Sequence, residues 1–152
     1  MNVGHLLLMM QAAATPAVQE MNVPVATFSA PNRAFTCAIQ GLPTVGIDYE
    51  RGRGVVDYND VGAPIDFVTI NSVKSVRMVT SANSRTWEID AQGPAQSEGK
   101  SMGYDAKLHI VISVTGENSW SADWTVEAGS YRRSEVGCGP IPPRPRRIEL
   151  AQ

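Results

Sequence analysis

His109 is the one histidine outside an apolar N-terminal leader, where His5 lies. An imidazole can serve as a general base when an aspartate holds its other nitrogen, as in a Ser-His-Asp relay. No strained G-x-S-x-G turn offers a serine for it, so His109 reads as a half-exposed strand residue. A zinc site usually draws on several His or Cys ligands. The two cysteines, Cys37 and Cys138, are better explained as a bridge, so neither a metal nor a cofactor is expected. Asp57, Asp60 and Asp66 gather around one turn, where close carboxylates could bind calcium or run acid–base chemistry. Their spacing fits no calcium loop and aspartate is an ordinary turn residue, so a solvated turn is expected there.

Three other groupings suit binding better than catalysis. Arg51-Gly52-Arg53-Gly54 could hold a phosphate between guanidiniums and glycine amides. No Lys-Ser/Thr opens a helix after it, so it reads first as an exposed hairpin turn. Trp87, Trp120 and Trp124 could stack on sugars, but their alternation places them on core faces. Trp120, next to a turn, is the one expected to be partly exposed. Arg132, Arg133, Arg144, Arg146 and Arg147 lie within sixteen residues that hold one acid, Glu135. Pro140, Pro142, Pro143 and Pro145 favour an extended tail, and residues 142–147 match a P-x-x-P ligand pattern with trailing arginine. Such a tail could touch an anionic envelope surface; a disordered soluble tail is the plainer reading. The candidate binding residues are thus Arg51, Arg53, Trp120, Arg144, Arg146 and Arg147.

These residues must be positioned by strands. Between Lys107 and Ala128, Leu108, Ile110 and Ile112 alternate with a mostly polar set that includes Val111, and Ala122, Trp124 and Val126 alternate with polar residues again after a turn at Thr115 to Ser119. Successive strand side chains point to opposite faces, so this is a half-buried hairpin. Phe35 to Ile39, Val45 to Tyr49, Val55 to Tyr58, Asp66 to Asn71, Thr86 to Asp90 and Ser130 to Val136 show similar patterns, the last with Tyr131, Arg133 and Glu135 on one face. Val73 to Val79 suits a strand or a helical turn or two. Ala91 to Gly103, rich in Gly, Gln and Ser, reads as a mobile loop. About eight short strands with regular turns indicate a single all-β, antiparallel sandwich or barrel.

The chain is expected to divide into a signal peptide (residues 1–14), an extended lead-in (15–32), a β-domain (33–139) and a Pro/Arg-rich tail (140–152). The leader has an apolar run at Leu6 to Met10 and small residues at Ala12 and Ala14, as signal cleavage requires, but no basic residue. No run approaches the roughly 20 apolar residues of a membrane-spanning helix. An even pair of cysteines in an exported chain reads as one disulfide, Cys37–Cys138. A net charge of −2 argues against nucleic acid as a partner. The expectation is a periplasmic or secreted, non-enzymatic module that binds a protein or envelope component. A small inhibitor of a secreted hydrolase is the alternative, and a hydrolytic enzyme comes third.

Overall fold

A computed structural model describes residues 18–30, 33–37, 43–60, 67–70 (backbone only) and 73–141. The strands are β1 (Gln19–Val23), β2 (Arg33–Thr36), β3 (Thr44–Glu50), β4 (Arg53–Asn59), β5 (Phe67–Ile70), β6 (Val73–Thr80), β7 (Ser84–Ser97), β8 (Lys100–Thr115), β9 (Ser119–Ala128) and β10 (Tyr131–Ile141). One 3₁₀ turn, Val25–Thr27, follows β1. All pairings are antiparallel, and all ten strands belong to one sheet ordered β1-β6-β7-β5-β4-β3-β2-β10-β9-β8, with β7 and β8 paired in addition. The all-β, antiparallel class with one disulfide therefore holds. Ten strands occur among the described residues, and several of them are long.

β7 is the pivot of the sheet. Its one edge carries β8; its other edge carries β6 as far as Ala91 and then β5 at Ala95 and Gln96. The ladder thus bends back on itself through β7, as the right-handed twist of strands favours. The joint is slight, made by Phe67↔Gln96 and Val68↔Ala95, and β1 with β6 continues beyond it.

The stretch from Ala91 to Gly103 is no loop. It is the far half of the β7–β8 hairpin, which turns only at Glu98-Gly99, both with positive φ (50° and 75°). Ala91, Gly93 and Ala95 are buried on alternate positions, with Gln92 half-buried and Pro94 exposed between them. Small residues carry that alternation as well as large ones, but they give it no hydrophobic contrast to read. Pro94, which cannot donate to a ladder, sits beside a register shift between Pro94 and Gln96. Val73–Thr80 is a strand throughout, so the three-residue recurrence of valine there does not make a helix.

β10 likewise outlasts its expected end. The register shifts between Glu135 and Cys138, where Gly137 takes φ 68°, and the strand then pairs Gly139 to Ile141 with β2. The shift is a bulge that passes β10 from one neighbour to the next. Cys138 is fully buried inside the strand, bridged to Cys37 just past β2 with a Cα separation of 4.4 Å. The bridge staples positions 101 residues apart.

One core runs through the interior: Phe35, Val45, Ile47, Val56, Tyr58, Ile89, Leu108, Ile110, Ile112, Trp124 and Val126 are all buried. These are the inward members of the alternating runs. Gln19–Val23, in the expected lead-in, joins the sheet by pairing with β6.

Candidate functional site

Trp87 on β7 lies opposite Ile112, and Trp120 on β9 lies opposite Val114, so the two indoles face the same way diagonally across β8. Their rings are nearly parallel, 10° apart, with centroids separated by 5.8 Å. Parallel rings touch at about 3.5–4 Å, so much of that separation is lateral offset. The pair forms a stepped shelf with part of each indole uncovered. The guanidinium of Arg33 lies 4.3 Å from the centroid of Trp120, and that of Arg85 lies 6.0 Å from Trp87. Neither arginine has a carboxylate partner among the described residues.

The shelf borders a hollow of about 750 Å³ between two turns, with Asn83, Ser84, Thr115 and Glu117 among its lining groups. The amide of Gly116 donates to the carbonyl of Asn83 at 3.3 Å and so ties the two turns together, while the Ser81 and Ser84 hydroxyls, 2.7 Å apart, brace the first turn internally. Trp120 is thus partly exposed, as expected. Trp87 points inward with Ile89, as expected, and packs against the core, but it is only partly buried because it lies near the turn end of β7. Trp124 is a core residue, 2% exposed.

A second concavity lies on the outer face of the sheet. Register lines Ser75, Asp90, His109, Thr125 and Ser134 into one row across β6 to β10. His109 Nδ1 is 2.7 Å from Asp90 Oδ1, the Ser75 hydroxyl donates to Asp90 Oδ2 at 3.0 Å, and Thr125 and Ser134 hydroxyls meet at 2.9 Å. A groove of about 340 Å³ runs beside the row, with Lys74, Lys107 and Glu127 on its walls. Ser75 is bonded to the aspartate and not to the imidazole, so this is not a Ser-His-Asp relay. His109 is half exposed, as its strand position implies.

Asp60 departs most from expectation. It is buried, 4% exposed, not a solvated turn residue. Its Oδ2 receives the Arg133 Nη1 donor at 2.6 Å, the Tyr131 hydroxyl at 2.7 Å and the Tyr58 hydroxyl at 3.0 Å. The two phenols are themselves 2.6 Å apart, so two protons serve three oxygen–oxygen contacts. Arg133 Nε also donates to Glu135 at 2.7 Å. Burial, and then contact with Tyr131 and Asp60, pushes the Tyr58 phenol far above its usual range; burial raises Tyr131 as well. Glu135 foremost, with Asp60, holds Arg133 more firmly protonated. The arrangement ties the end of β4 to β10 and needs every member to satisfy one buried charge. The alternation that sets Tyr131, Arg133 and Glu135 on one face was the available signal. Their inward direction was not, since polar faces ordinarily point to water. Asp57 is separate: it pairs with Gly46, and burial raises its carboxyl. Asp66 lies outside the described residues.

Arg51 and Arg53 flank the β3–β4 turn, as expected, with Arg51 and Gly52 both at positive φ (48° and 79°). The turn is braced from beneath. The amide of Arg51 donates to the Ser29 hydroxyl, the amide of Gly52 to the Phe28 carbonyl, and the Tyr49 hydroxyl to the Gly52 carbonyl. A side chain at Gly52 would strike Ala26 at 2.7 Å. Arg51 and Arg53 are exposed and far in sequence from the tryptophan shelf; Arg144, Arg146 and Arg147 lie outside the described residues. No helix among the described residues is long and apolar enough to cross a membrane.

Comparison with family models, curated proteins and solved structures finds no match for this chain. The class the fold defines is an all-β, antiparallel protein with a single disulfide, and its function must be argued from its own side chains.

Proposed function

We propose that this protein is a non-enzymatic binding module of an extracytoplasmic compartment, and that it holds an envelope component at the tryptophan shelf. The observation that carries the reading is Trp87 and Trp120, two large aromatic rings left partly exposed at the edge of the core and set beside a hollow of about 750 Å³. Aromatic rings in partly exposed, polar-rimmed hollows are typical anchors of recognition. The Cys37–Cys138 bridge supports a periplasmic or secreted location, since such bridges persist in oxidising compartments. Capture from an envelope extract tests the function: the full chain should retain a partner that Trp120→Ala loses while keeping its β-type circular dichroism. Capture that is unchanged by Trp120→Ala would overturn the reading. Mass spectrometry of natively expressed protein tests the location, with a new N-terminus expected near Thr15.

A second reading, inhibition of a secreted hydrolase, draws on the β3–β4 turn. Ser29, Phe28 and Tyr49 fix its backbone while Arg51 and Arg53 stay exposed. A preformed loop loses little entropy on binding. Inhibition of an arginine-specific secreted protease that disappears in Arg51→Ala/Arg53→Ala would favour this reading over the first.

A further inference from the structure

We infer that the ligand of the tryptophan shelf is an acidic saccharide, a sugar chain bearing carboxylate groups. This rests on the binding reading above and names its chemistry. Sugar rings present a C–H face that packs on indole and vicinal hydroxyls that pair with planar polar groups. The hollow supplies both: Trp87 and Trp120 as the apolar shelf, with Asn83, Arg85 and Glu117 around it. Asn83 and Arg85 can donate to ring and hydroxyl oxygens, and Glu117 can accept from hydroxyls.

Charge decides between neutral and acidic sugars. Arg33 and Arg85 rest against the indoles with no carboxylate partner among the described residues. A guanidinium so placed is oriented by the ring and keeps donors for a carboxylate, which it can meet in a bidentate fork. Together the two cations outweigh Glu117. A nucleobase could stack on the same shelf, so nucleic acid is left to the test; the net charge of −2 weighs against it.

Titration of the full chain, followed by tryptophan fluorescence and calorimetry, tests this with four probes: tetragalacturonate, an alginate tetramer, neutral cellotetraose and a short oligothymidylate. At least one acidic tetramer should bind saturably, at least tenfold more tightly than cellotetraose, and should weaken as salt rises. Trp120→Ala should abolish that binding. Arg85→Gln, a change on an exposed side chain that leaves folding intact, should weaken it about tenfold, the worth of a hydrogen bond to a charged group. Equal binding of cellotetraose would overturn the assignment of an acidic ligand. Preference for oligothymidylate would replace the saccharide with nucleic acid. If no probe binds while envelope capture still depends on Trp120, the saccharide is wrong and the binding reading stands; if capture is indifferent to Trp120, the binding reading itself falls.

Discussion

Asp60 shows how one side chain can commit a surface to the interior. A buried carboxylate without partners would cost several kcal/mol or would stay protonated. Here an arginine and two phenols converge on a single oxygen. Removing Arg133 would leave that charge facing the phenols alone. Arg133 itself is 38% exposed, so water can replace part of what it gives. Arg133→Ala should therefore destabilise by roughly 1–3 kcal/mol, less than a wholly buried pair, as denaturant unfolding would measure. The phenols add a pH dependence. Tyr58 and Tyr131 both sit above their usual value of 10.0 in the folded chain. An acid whose folded value is raised gives stability that is fully present below its unfolded value and is lost as pH rises past it. The melting temperature should accordingly fall from about pH 10 upward, and Tyr131→Phe should blunt that fall. An alkaline profile identical in the variant would contradict this account.

At the scale of elements, the long hairpins matter most. β7 and β8 run 14 and 16 residues, and β9 and β10 complete the same surface. Trp124 sits beneath them beside Ile110, and its removal should leave a large cavity. Trp124→Ala should cost roughly 3–5 kcal/mol, while Trp120→Ala at the rim should cost clearly less; similar losses in thermal unfolding would place both in the core. The bridge acts differently. Cys37 and Cys138 join β2 to β10, two strands already paired by hydrogen bonds at Gly139 to Ile141. The disulfide thus constrains mainly the unfolded chain. For a closed loop of this length the chain-entropy model gives on the order of 4–5 kcal/mol. Replacing both cysteines by alanine should lower the melting temperature and leave the circular dichroism unchanged.

For the whole molecule, the question is where the cooperative unit stops. β10 continues through Ile141, so Pro140 and Ile141 belong to the sheet and not to the tail. Removing residues 142–152 should leave stability within about 0.5 kcal/mol, because their prolines offer few ladder donors. A truncation that also takes Pro140 and Ile141 should be measurably less stable. Partner binding that depends on Arg144, Arg146 and Arg147 should weaken with salt, since charges are screened beyond about 8 Å at physiological ionic strength. Salt-independent binding by the truncated chain would remove the tail from any role in association.

The sequence by itself determined the class of fold, and it did so where residues contrast. In Leu108 to Ile112 and Ala122 to Val126 the period of two is written in apolar against mostly polar side chains, and Leu108, Ile110, Ile112, Ala122, Trp124 and Val126 line the core. The bridge was legible for a similar reason: two cysteines allow one pairing. Tertiary structure alone decided the rest. The alternation of Ala91, Gly93 and Ala95 is invisible without a partner strand to show which side is covered. The same holds for Gly137, whose bulge carries β10 onward only because β2 waits to receive it. Asp60 with Arg133, and Trp87 with Trp120, meet across 73 and 33 positions of chain respectively. Spacing along a sequence carries no trace of such meetings. They exist because the sheet, bent back through β7, brings distant strands to one face, and packing then sorts which polar groups are sealed in and which rings are left at the rim.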